Sequence, residues 1–178
     1  MRYYSNTTDL REQLEHASDR YDALNKEYRE YQMYEERRTP PPHIRELLNK
    51  INKCVEDKHR LSYHIRELES MPVENASPDQ IKYYIADIDE KRRLYFEEWQ
   101  HNYESHHKAK KQMEETDMNL GLCLDENDEE YLSLYSEYQK LFNEMQQYNK
   151  LYLSAAMKVR VYQDIRRFMY AQLMSNIL

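Results

Sequence analysis

Three Glu-x-x-His pairs, Glu56 with His59, Glu98 with His101 and Glu104 with His107, are the residues in this sequence best suited by type and spacing to chemistry. Residues i and i+3 share a helical face, and carboxylate-bridged di-iron bundles carry this spacing on facing helices. The face decides against that use here. With Cys54 and Asn102 at d positions of a heptad, Glu56 and Glu104 fall at f, and His59 and His107 at b, positions that point to solvent. Cys54 and Cys123 lie far apart, fit no metal spacing and read as reduced thiols. There is no Gly-rich phosphate loop, no nucleophile elbow, and no Cys/His pair that the helix pairing brings together. The sequence therefore predicts a protein that is not an enzyme, with no metal and no cofactor.

The elements that would have to position such residues are helices. A single glycine in 178 residues removes most of the turns and bulges that β and α/β folds need. A charged fraction of 33% and a mean hydropathy of -1.12 would suit a disordered chain. Eighteen tyrosines and regularly spaced apolar residues argue instead for folding.

Four helices are predicted, at about 9–38, 43–70, 78–120 and 126–177, in one elongated domain over 1–178. Asp9 is the expected cap of the first, whose seam of Leu10, Leu14, Ala17, Tyr21, Leu24, Tyr28 and Tyr31 alternates steps of four and three. Pro40 to Pro42 end it. The second carries Leu47, Ile51, Cys54, Lys58, Leu61, Ile65 and Leu68, widened by Ile44, Leu48 and Val55. Ser77, Pro78, Asp79 and Gln80 form a capping box that opens the third. Its seam passes from Ile81, Ile85 and Ile88 through Arg92, Tyr95 and Trp99 to Asn102, His106, Ala109 and Met113. Gly121 is its expected left-handed C-cap. The fourth holds its heptad from Tyr131 to Leu173, with Leu151, Leu153 and Val161 among the apolar residues added beside the seam.

A turn at 121–125 folds the fourth helix back on the third, placing Met113 near Ser133, Trp99 near Gln147 and Ile81 near Ile165. The first two helices pair across the prolines. The expected fold class is all-α: an antiparallel four-helix bundle at one end, with helices three and four extended as a projecting coiled-coil hairpin. The pairing leaves the apolar residues from Met169 onward uncovered, so they fold over the bundle end, meet a partner, or belong to a longer protein.

These features predict a scaffold, adaptor or assembly subunit that binds protein partners, or a second copy of itself, through helical surfaces. Candidate partner-binding residues are Tyr28, Tyr31, Tyr34, Met169, Tyr170, Leu173, Met174 and Ile177. Tyrosine suits such contacts because it buries a large ring while keeping a hydroxyl for water or a partner. The alternative is a peripheral membrane-binding or membrane-shaping module whose lipid-binding patch is Lys82, Arg92, Arg93, Lys158, Arg160, Arg166 and Arg167. A net charge of -7 disfavours nucleic acid as a partner. Without an apolar run near the length of a membrane span or a leader, the expected location is cytoplasmic.

Overall fold

The computed structural model describes residues 6–34, 42–71, 73, 75–123 and 129–175, with the side chains of 32–34 outside that description. Four helices account for almost all of them: α1 (Thr7–Tyr34), α2 (Pro42–Glu69), α3 (Pro78–Leu120) and α4 (Glu129–Ser175). There is no strand among the described residues. The protein is all-α, with α1 and α2 packed as one hairpin and α3 and α4 as another. Its residues fall into two compact units, Met1–Asp89 with Val161–Leu178, and Glu90–Arg160.

Helix starts follow capping chemistry. The Asp9 amide donates to Asn6 Oδ1 at 2.9 Å, so the cap of α1 is Asn6 and not Asp9. Asp9 instead sits in the first turn, where its charge still favours the helix N-terminus. At α3 the box forms as predicted: the Ser77 amide donates to Gln80 Oε1 at 2.8 Å and the Gln80 amide to Ser77 Oγ at 3.3 Å. Gly121 closes α3 without the left-handed conformation expected of it. The chain leaves through bonds from the Leu122 amide to Asn119 O and from the Cys123 amide to Leu120 O, a tightening that any residue can make.

The predicted seams are the covered stripes. In α1 Leu10 is buried, and Leu14, Ala17, Tyr21, Leu24, Tyr28 and Tyr31 are half-buried. In α2 Leu47, Ile51, Cys54, Leu61, Ile65 and Leu68 are buried. Tyr21, Leu24, Tyr28 and Tyr31 pack against Ile44, Leu47 and Ile51. Lys58, the charge in that seam, holds its ammonium 4.8 Å from the Tyr21 ring centroid, so the aromatic face replaces part of its lost hydration.

In the first unit the deepest residues come from α3 and α4: Ile81, Ile88, Ile165 and Met169 are fully covered, with Val161 and Tyr162 nearly so. Tyr162 hydroxyl donates to Glu67 Oε2 at 2.7 Å and lies 3.0 Å from the Tyr63 hydroxyl. Burial, then these hydrogen bonds, push the Tyr162 phenol well above its ordinary range.

The pairing of α3 with α4 is displaced from the predicted one. On the turn-centred rule Tyr103 would face Asn143; its ring meets Tyr152 instead, at 5.8 Å. Likewise Tyr95 lies under the Lys158 ammonium and Asp89 pairs with Arg166. Side chains lean toward the N-terminus of their own helix, away from the turn on α3 and toward it on α4, and both leans shift contacts in this direction. Residues 124–128, which join the two helices, lie outside those described.

Candidate functional site

The second unit carries an aromatic run along α3. Phe96 lies 5.4 Å from Trp99, Trp99 stacks on Tyr103 at 5.5 Å, and Tyr103 meets His107 edge-on at 4.4 Å. From α4, Tyr152 closes on both Tyr103 and His106. The periodicity explains the arrangement. Trp99 and His106 occupy a positions and Asn102 a d position, so Phe96 and Tyr103, each one residue past d, both stand at e. On α4 the same position holds Tyr135 and Phe142.

In an antiparallel pair the e positions of both helices flank the seam on one side and the g positions on the other. The observed contacts obey this: Tyr103 at e touches Tyr152 at a, while Tyr95 at d meets Lys158 at g. One flank of the hairpin therefore gathers Phe96 (46% exposed), Tyr103 (41%), Tyr135 (45%) and Phe142 (42%), with Leu132 and Leu153 at the adjoining b positions. On the other flank stand Lys91, Glu98, Ser105, Gln112, Glu137 and Glu144, with Leu94 and Leu151 as its exposed apolar residues. The exposed rings of the unit thus gather on one flank, where Lys110, Asp117 and Asn149 hold other e positions.

This face lies outside the residues singled out from the sequence. Its signal was present, in the seven-residue spacings of Phe96 to Tyr103 and of Tyr135 to Phe142. Leu151 and Leu153, the apolar residues added beside the seam of α4, are exposed, because α4 is covered there along its seam alone.

Of the predicted partner residues, Met169 and Leu173 are core of the first unit, so neither is surface for another chain. Tyr170 and Met174 are exposed. Tyr28 and Tyr31 have their inner sides on α2, and Tyr31 meets His43 edge-on. The Tyr34 side chain and Ile177 lie outside the described residues.

The predicted lipid patch is largely matched with acids of its own. Lys82 pairs with Asp79, Arg93 with Glu90 and Glu97, Arg166 with Asp89 at 2.7 Å, and Arg167 with Asp164. Lys158 lies 4.4 Å above the Tyr95 ring, Arg92 is half-buried, and Arg160 is exposed. No helix of the described residues is long and apolar enough to cross a membrane.

Nor do the Glu-x-x-His pairs converge: Glu56, His59, His101, Glu104 and His107 are exposed, and no metal-holding group of three or more ligands occurs among the described residues. A cavity of about 430 Å³ in the first unit is lined by Leu68, Glu69, Met71, Tyr84 and Phe168, with Asn6 and Gln80 at its edge. Three of its polar residues are engaged elsewhere: Asn6 and Gln80 cap helices, and Glu69 pairs with Arg11 at 2.5 Å. Asn102 and Thr116, buried in the α3 seam, bond back to the carbonyls of Glu98 and Gln112, so they satisfy themselves instead of locking the two helices in register.

Two histidines have buried ring nitrogens without partners. His106 is half-buried against Tyr152, and burial, then His107 and Lys110, lower its pKa. His64, on α2, is 5% exposed with both nitrogens unpaired. Burial, opposed by Asp164 and helped by Arg60, pushes it down to about 4. It is neutral at pH 7, and nothing in its seam-adjacent sequence position distinguished it from a surface histidine.

No known protein family, curated protein or solved structure matches this chain.

Proposed function

We propose that the protein acts by binding, as a non-enzymatic scaffold, adaptor or assembly subunit that meets protein partners through helical surfaces. The observation that carries this reading is the one-sided exposure of Phe96, Tyr103, Tyr135 and Phe142. Four half-exposed rings on one flank exceed what scattered surface apolarity provides, and aromatic residues dominate the energetic centres of protein interfaces. The paired state of Lys82, Arg93, Arg166 and Arg167 weighs against a lipid headgroup as the ligand. In this reading α1, α2, the start of α3 and the end of α4 form a four-helix bundle, and the remainder of α3 and α4 is a coiled-coil hairpin that presents the face. The Glu67–Tyr162 bond and the shared unit assignment support the bundle.

A photo-crosslinking residue at position 142, on the aromatic flank, compared with one at position 140, on the polar flank, tests the reading in cell extract. Protein adducts are expected from 142 and not from 140. Equal labelling from both positions, or none from either, would sink it.

A further inference from the structure

His64 has no acceptor for an added proton. This α2 residue is 5% exposed, and neither of its ring nitrogens has a hydrogen-bond partner. It stands where α2 meets α4. Tyr63, the residue before it, has its hydroxyl 3.0 Å from that of Tyr162, and Glu67, one turn on, accepts the Tyr162 hydroxyl at 2.7 Å. Two charged side chains act on the ring, Asp164 from α4 and Arg60 one turn back on α2. Both are already paired, Asp164 with Arg167 at 3.5 Å and Arg60 with Asp57 at 3.3 Å. A neutral imidazole in this place forgoes its hydrogen bonds to water. An imidazolium would add a buried charge, so protonation favours any state in which water reaches the ring.

What gives way depends on how α2 is held on each side. Toward α1 it is held by apolar packing, with Tyr21, Leu24, Tyr28 and Tyr31 on Ile44, Leu47 and Ile51, and by the pair of Arg11 with Glu69. None of these contacts involves His64 or α4. Toward α4 the Tyr162 hydroxyl is bonded to Tyr63 and Glu67 directly beside the unpaired ring. We infer that His64 is an acid trigger: when its ring takes up a proton, α1 and α2 leave α4 together, as one hairpin, and uncover the stripe of α4 that begins at Tyr162. Ile165 and Met169, three and seven residues on, share that stripe and are fully covered while the hairpin is docked. Acid thereby converts part of the core of the first unit into accessible apolar surface. The trigger and the aromatic face belong to different units, so the trigger stands or falls apart from the binding reading above.

The test is native-state hydrogen exchange of the full chain at pH 7 and pH 5, corrected for the intrinsic effect of pH on amide exchange. A ring with a pKa near 4 when docked and 6.5 when hydrated should raise the opening constant read at the α1 and α2 amides about 20-fold between the two pH values. Amides of residues 90–160 should change by less than about three-fold over the same interval, because the released hairpin leaves their own helix pair intact. Neither leucine nor glutamine titrates, so His64→Leu and His64→Gln should each abolish the 20-fold rise at α1 and α2. The second variant serves if the first does not fold, and the parent alone reports which helices open. A rise that persists in a folded variant, α1 losing protection without α2, α1 and α2 amides that do not respond to acid, or residues 90–160 opening together with α1 and α2 would overturn the proposal.

Discussion

His64 makes the stability of the first unit depend on pH in a way that can be worked out. Its ring is 5% exposed, its two nitrogens have no partner, and its pKa stands near 4 against 6.5 in an open chain. For a base whose folded pKa is depressed, the unfolded chain takes up the proton first. Stability is therefore highest above pH 6.5, falls as the pH drops through that value, and levels off below about 4. The full difference is about 3 kcal/mol, and the part lost between pH 7 and pH 5 is about 2 kcal/mol. His64→Leu removes the titration and replaces two unpaired nitrogens with methyl groups of similar volume. The variant should gain about 1–3 kcal/mol at neutral pH and lose about 2 kcal/mol less than the parent on acidification to pH 5. Urea unfolding followed by helical circular dichroism at pH 7, 6 and 5 reads this directly, as a midpoint difference that widens by about 1 M with acid. Every other ionisable group is common to both proteins, so the comparison isolates His64. Parent and variant curves that stay parallel across the three pH values, or a variant less stable at pH 7, would refute the reasoning.

Gly121→Ala should leave stability unchanged or raise it by up to about 1 kcal/mol, since the residue is not left-handed and an added Cβ would meet only the Met118 and Asp117 carbonyl oxygens at 3.5 and 3.7 Å; a loss of 1 kcal/mol in thermal or urea unfolding would mean that a left-handed cap exists in solution. Ser77→Ala should cost about 1 kcal/mol by removing the acceptor of the Gln80 amide. Hydrogen exchange should report that loss first at the amides of the opening turn of α3, and unchanged exchange there would contradict the capping box.

The sequence by itself determined the helices. Ser77 and Gln80 made their box because both partners lie within four residues, and the seams from Leu10 to Tyr31 and from Leu47 to Leu68 were covered because heptad spacing alone puts those residues on one face. What lies at one end of a single helix is a local matter, readable even though Asn6 outcompeted Asp9 as the cap of α1. Tertiary structure decided everything that needed two helices at known levels. Tyr103 met Tyr152 and not Asn143, a displacement of nine residues, because periodicity fixes which face of a helix is covered and not the level at which a second helix meets it. Whether Met169 was surface or core, and whether Phe142 was core or surface, followed from which neighbour each met. The same holds for His64, whose unpaired nitrogens and depressed pKa arise from what packs around it. The aromatic flank shows the division most clearly: the spacing of Phe96, Tyr103, Tyr135 and Phe142 was in the chain, but only antiparallel pairing puts the e positions of two helices on the same side and leaves them open to a partner.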